Sequence, residues 1–162
     1  MTAVQYVEYV LENNWEPSIS GRYNDVPHPR LIRESSEEYR RMNTQEDDTI
    51  IVSDGGISEI EPQSFGWVEE RLLSRVTLDI RTSHSRERLW GERDDNNNSP
   101  RYGGLVGECK RIFDAKRKGD KEFDLVDGYE ANDLSGQMGG LVWRATFELR
   151  LDTRASNIDP EI

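Results

Sequence analysis

The feature that most constrains this chain lies near its C-terminus. There Leu141, Trp143, Ala145, Phe147, Leu149 and Leu151 alternate with Val142, Arg144, Thr146, Glu148, Arg150 and Asp152. Unbroken period-two alternation predicts a long strand with one apolar and one mostly polar face. That asymmetry suits an antiparallel sheet, which can leave one face in water, whereas parallel sheets are usually covered on both. Val76, Leu78 and Ile80 repeat the pattern against Arg75, Thr77, Asp79 and Arg81. Two half-buried strands need a layer to cover them.

Helical patterns supply that layer. Val4, Val7 and Leu11, with Tyr6 and Val10 beside them, predict a helix over Thr2 to Asn14 with Thr2 as its N-cap, ending near Trp15 before Pro17. Leu105, Cys109, Ile112 and Phe113 predict a second, closing with Lys116, Arg117 and Lys118 before Gly119. Ser83 or Ser85 is placed to cap a shorter helix through Arg86, Leu89 and Trp90. Thr49 to Val52 reads as a short strand stopped by a turn at Asp54-Gly55-Gly56, and Ile57 to Trp67 as a loop. Leu31-Ile32 reads as a short strand inside an otherwise mixed segment, and Asp94 to Pro100 as a break. A strand starts near Glu122 with Phe123 and Leu125, and the glycine-containing stretch Asp127 to Gly140 reads as a long hairpin connection that orders against a partner. The expected fold is α+β: a largely antiparallel, mixed β-sheet with helices packed on one face. The expected organisation is a single domain over 1–162, with a helix in 1–15, an irregular segment in 16–48, the α+β core in 49–155 and a tail in 156–162.

Charge limits the function classes. Asp and Glu number 32 against 21 Lys and Arg, for a formal net charge of −11, which argues against a nucleic-acid-coating role that must neutralise phosphates. The acidity is scattered and lysine is scarce, a bias shared with salt-loving archaea. Molar salt shortens the Debye length to ~3 Å and screens the self-repulsion of such a surface. An ordinary acidic protein is the alternative. Leu, Ile, Val and Phe make up about 22% of the chain, just above the ~20% below which disorder is expected, so one modest core is within reach. No run approaches the ~18 apolar residues of a membrane span. Met1 to Leu11 has no basic n-region and carries Glu8, so it does not read as a signal peptide.

The residues that carry chemistry are few. His28 and His84 stand at unrelated positions and read as loop or surface histidines. The lone Cys109 cannot form an internal disulfide and reads as a buried thiol on an apolar helix face. Glu108-Cys109-Lys110 matches the Glu-x-Lys end of a metal-dependent nuclease motif, but inside a predicted helix rather than on a strand. Gly103, Gly104 and Gly107 read as sites of close helix packing. No catalytic residue, cofactor site or metal site is assigned. An assembly component is the better expectation, because a sheet edge can be extended by a neighbour's strand and a ring repeats one heterologous contact. The interface candidates are Trp67, Trp90, Tyr129, Asp133 and Met138. Trp143, in phase with the core, reads as packing.

One arrangement resembles a known family. An N-terminal helix precedes the strand Thr49 to Val52 and a long strand ending Asp79-Ile80-Arg81-Thr82-Ser83. A helix ending Gly107-Glu108-Cys109-Lys110-Arg111-Ile112-Phe113 follows, then the strand Trp143 to Leu151. From Thr49 to Ala155, and more loosely in the first helix, this resembles the tail terminator proteins of long-tailed double-stranded DNA viruses, in particular those infecting haloarchaea. The segments 16–48 and 94–100 depart from the compact version of the family. The resemblance implies a structural protein of the virion tail and neck, assembled in the host cytoplasm as a homo-oligomeric ring, a hexamer. It would cap the tail tube protein, join a neck or head-closure protein, and let genomic DNA pass without sequence-specific binding. An acidic lumen would repel phosphates, and halophilic acidity would produce the same charge. The alternatives are a head-closure stopper or other neck connector, a metal-dependent nuclease, and a host regulatory adaptor.

Overall fold

The computed structural model describes residues 2–16, 26–41, 48–60, 71–92, 96, 102–116, 123–134 and 142–153. In chain order the elements are α1 (Ala3–Asn14), β1 (Arg30–Arg33), α2 (Glu37–Arg40), β2 (Thr49–Ile60), β3 (Arg71–Thr82), α3 (Arg86–Trp90), α4 (Gly104–Ala115), β4 (Phe123–Asp133) and β5 (Trp143–Thr153). They form an α+β fold around one five-stranded mixed sheet, with spatial order β1-β2-β3-β5-β4. β1 runs parallel to β2, and the other three pairings are antiparallel.

Local chemistry explains the starts of the helices. Thr2 Oγ1 accepts from the Gln5 N–H at 3.2 Å while Gln5 Oε1 accepts from the Thr2 N–H at 2.9 Å. This capping box satisfies two donors that would otherwise lack partners. Ser85 caps α3 by accepting from the Arg88 N–H at 3.2 Å, and Ser36 caps α2 in the same way through the Tyr39 N–H.

The alternation then decides which sheet face is covered. Ile50 and Val52 of β2, Val76, Leu78 and Ile80 of β3, and Ala145, Phe147, Leu149 and Leu151 of β5 form one buried cluster. Tyr6, Val7, Val10 and Leu11 of α1, Leu89 of α3, and Leu105, Cys109, Ile112 and Phe113 of α4 complete it. The helical layer therefore lies on the face that the alternation marks as apolar. The Phe113 and Phe147 rings sit 6.1 Å apart between α4 and β5. Ile51, one step out of phase with Ile50 and Val52, is buried on the opposite face together with its register partner Ile32.

Several boundaries differ from the sequence expectation. Asp54-Gly55-Gly56 is a β-bulge inside β2, not a terminating turn. The pairing passes from Asp54 opposite Val76 to Gly56 opposite Arg75, leaving Gly55 as the extra residue. Asp54 Oδ1 accepts from the Gly56 N–H at 2.8 Å, and Gly56 adopts φ +97°, a conformation that glycine takes without steric cost. Ile57 to Ile60 is accordingly strand, while 61–67 lies outside the described residues. The expected connection from Asp127 is strand as far as Asp133. Val126, Asp127 and Gly128 stand opposite Arg150 alone, between the pairs Leu125–Leu151 and Tyr129–Leu149, so the bulge hides the period-two signal. The segment 16–48, expected to be irregular, contributes β1 to the sheet and carries α2. The second long helix ends at Ala115 with Lys116 as its C-cap.

The glycines of α4 are packing residues. A Cβ on Gly107 would lie 2.2 Å from the Tyr102 carbonyl carbon, and one on Gly104 would lie 2.5 Å from that of Leu89. Both neighbours are backbone atoms and cannot rotate away. Gly107→Ala should therefore cost about 1–3 kcal/mol through overpacking, read as a lower urea midpoint at unchanged m-value.

Candidate assembly interface

The edges of the sheet are set by how β1 and β4 end it. β1 pairs with β2 only from Thr49 to Val52. The Glu34 N–H bonds the Val52 carbonyl at 3.0 Å, and the Ser36 N–H then turns back to the Arg33 carbonyl. From Ser53 to Ile60, β2 has no partner strand on that side among the described residues. At this step a cleft of about 480 Å³ opens between α1, the end of β1 and the bulge, with Arg33, Glu34, Val52 and Asp54 in its wall. On the other side of the sheet, β4 has β5 as its single partner among the described residues. Unpaired edges of this kind are templates for another strand.

The two terminal strands differ in charge. β1 reads Arg-Leu-Ile-Arg, with two cations and no acid. β4 carries Asp124, Asp127, Glu130 and Asp133 and no cation. Arg30 is paired with Glu38 and Arg33 with Glu8, and the two arginine side chains remain 46% and 44% exposed. The hydrogen bond that Arg33 donates to Glu8, followed by the charge of Glu8, raises the Arg33 pKa above its ordinary value, so this cation stays charged throughout the accessible pH range.

On the face opposite the helices, the sheet carries a half-buried ionic cluster around the buried Asp79. Arg81 and Arg144 stand directly opposite each other on β3 and β5, an arrangement of like charges that is unfavourable alone. Asp79 resolves it. Its Oδ2 accepts from Arg81 Nε and Nη2 at 3.0 and 2.7 Å, and its Oδ1 accepts from Arg144 Nε at 2.8 Å. At the same end of the sheet, Asp48 accepts from Thr82 Oγ1 at 2.7 Å and from Arg88 Nη1 at 3.3 Å, joining the start of β2 to α3. Strand periodicity places Arg81 and Arg144 on a polar face, but the bridge between them depends on register and is not visible in sequence.

The expected interface residues fall in different places. Trp90 is half-buried at the end of α3, packed against the core, and its indole N–H finds no acceptor among the described residues. Asp133 is exposed at the end of β4, and Tyr129 sits on β4 opposite Leu149, so both belong to the sheet edge rather than to a loop. Trp67 and Met138 lie outside the described residues. Trp143 is partly buried against the core.

Glu108 of the nuclease-like triplet is fully buried on α4 and accepts from Arg111 at 2.5 Å. Arg111 in turn donates to the Asn14 carbonyl at 2.7 Å, which ties α4 to the end of α1. Among the described residues, no group of three or more His, Cys, Asp or Glu side chains is placed to hold a metal ion. His28 and His84 are both exposed, and the Nδ1–H of His28 donates to the Pro29 carbonyl at 2.7 Å. No helix among the described residues is long and apolar enough to cross a membrane.

Cys109 is fully buried, and burial pushes its thiol pKa well above the ordinary value. The folded state therefore holds a proton that the unfolded chain releases above about pH 8.5. This contribution to stability is complete below that pH and falls by up to about 1.4 kcal/mol per pH unit above it. Thiol labelling at pH 7 should proceed only with unfolding, and Cys109→Ala should flatten the alkaline limb of the stability profile.

Searched against protein-family models and against curated proteins, the chain matches none.

Proposed function

We propose that the protein is a virion structural component, a tail terminator that acts by assembling as a ring. One face of the ring would bind the last ring of the tail tube and stop its growth, and the other would dock to the neck. The observation that carries this reading is a mixed sheet with unpaired strand edges on both sides among the described residues. An N-terminal helix, long antiparallel strands and covering helices support it as part of the arrangement that carries the family resemblance, although Thr49 to Val52 belongs to a twelve-residue strand and not to a short one. The net charge of −11 suits a lumen that lets DNA pass without gripping it.

The test is light scattering and negative-stain imaging of the purified chain in high salt, alone and with tail tubes. A ring of subunits that binds tube ends and blocks their extension is the expected result. A chain that stays monomeric both alone and with tubes sinks the proposal. The acidity carries a companion expectation: cooperative structure should be lost in low salt and return in multimolar KCl. Equal thermal stability in both conditions would remove the halophilic reading.

A further inference from the structure

We infer that Arg75 and Arg150, side by side on the polar face of the sheet, seat a carboxylate from a second copy of this chain. The inference takes its occupant from the ring reading and does not require the tail.

The fold itself shows what a pair of this kind takes. Arg75 and Arg81 share the polar face of β3, and each stands opposite an arginine of β5, Arg150 and Arg144 respectively. Residues directly opposite across an antiparallel pair have Cβ atoms ~4.5–5.5 Å apart, close enough for two guanidiniums to hold one carboxylate. Like charges placed so are unfavourable until an anion joins them. Between Arg81 and Arg144 that anion is Asp79, which gives one oxygen to each arginine. The β3 residue that stands to Arg75 as Asp79 stands to Arg81 is Thr77, which carries no charge. The acid beside the second pair is Glu148, whose Oε1 lies 3.5 Å from Arg150 Nε, longer than a hydrogen bond. Among the described residues, the second pair thus sets two cations beside one loosely held acid.

Exposure makes the second pair reachable from outside. Arg75 is exposed and Arg150 keeps 40% of its side chain exposed, against 12% for Arg81 and 25% for Arg144. The bridged pair is closed by its own chain, and the open pair presents the same geometry to a neighbour. Paired guanidiniums recognise carboxylates and phosphates alike. Charge chooses between them. The chain holds 32 acidic residues against 21 basic ones, so a second copy offers carboxylates, whereas a net charge of −11 repels a polyphosphate backbone. Because a surface arginine pair meets a surface acid, the contact is heterologous and repeats around a ring when it closes.

The test uses the full chain at the lowest KCl concentration at which circular dichroism shows it folded, because salt screens exposed pairs. Light scattering compares the parent with Arg75→Glu, with Arg150→Glu and with Arg41→Glu. The last makes the same charge change at an exposed arginine that pairs with Glu37 of α2. The first two should weaken association by about tenfold or more, and the third should leave it within about twofold. A second measurement covers any variant that does not fold. Arg75→Lys keeps the cation and supplies an amine that a carbodiimide joins to a carboxylate in contact with it. In a mixture of isotope-labelled and unlabelled chains, peptide mapping should join position 75 of one copy to an aspartate or glutamate of another. Four results would each overturn the seat: association indifferent to both charge reversals, links from position 75 only to Glu148 of its own copy, a monomer at every KCl concentration, or a short duplex DNA that the parent binds and Arg75→Glu releases. Assembly that needs both arginines but ignores tail tubes would keep the seat and remove the tail reading. A ring that caps tubes and tolerates both reversals would do the opposite.

Discussion

Phe147→Ala is expected to lower the unfolding free energy by about 3–5 kcal/mol. Against the ~5–15 kcal/mol that holds a typical domain together, this leaves a marginal or unfolded protein. Phe147 is fully buried on β5, between Leu78 of β3 and Ala131 of β4 in register, and its ring meets Phe113 of α4. Its truncation opens a void where two strands and a helix meet, and none of the three can close in without breaking ladder or helix bonds. Urea unfolding in high salt should show the midpoint falling. Tyr9→Ala, at a side chain 53% exposed on α1, should stay within about 0.5 kcal/mol of the parent. Equal effects at the two positions would mean that the helical layer does not rest on β5 as described.

Arg111→Met should cost a similar amount, about 3–5 kcal/mol, by a different route. The substitution keeps much of the apolar stem but removes the cation held by the fully buried Glu108 carboxylate. It also removes the donor to the Asn14 carbonyl at the end of α1. Removing one partner of a buried pair leaves an uncompensated charge, whereas replacing both partners by apolar residues is often nearly neutral. Arg111→Met combined with Glu108→Leu should therefore recover most of the loss. A single substitution costing under about 1 kcal/mol would show that the pair is not what joins α1 to α4. Retained stability in the double variant would also show that Glu108 has no indispensable structural role.

Much of the fold was legible because its signals are local. Thr2 marks the start of α1, and the Ser83-or-Ser85 pair marks that of α3, where the structure selects Ser85. The alternation through Val76, Leu78 and Ile80, and through Ala145, Phe147 and Leu149, separates a covered face from a polar one without knowledge of any partner strand. The errors fall where one or more extra residues interrupt a period. Gly55 in β2 imitates the end of a strand, and residues 126–128 in β4 imitate a loop. Both strands resume beyond the interruption because pairing with β3 and β5 resumes there. β1 was faint for another reason: four residues are too few for a pattern, and its place depends on β2 to hold it.

The candidate interface was less visible than the core. Tyr129 and Asp133 were singled out as parts of a partner-ordered connection, and the fold instead sets them on an edge strand. Trp90 is drawn into packing by the helices around it.

By itself, the sequence determined the α+β class, the principal helices, the two long amphipathic strands and the acidic surface, since each follows from side-chain periodicity or composition. Only the tertiary structure decided the order β1-β2-β3-β5-β4, the charge difference between its two ends, and the Asp79 bridge between Arg81 and Arg144. The reason is that strand hydrogen bonds join residues far apart in the chain: Asp79 and Arg144 are 65 positions apart. Periodicity reports which face a residue occupies, whereas neighbours on that face are chosen by register.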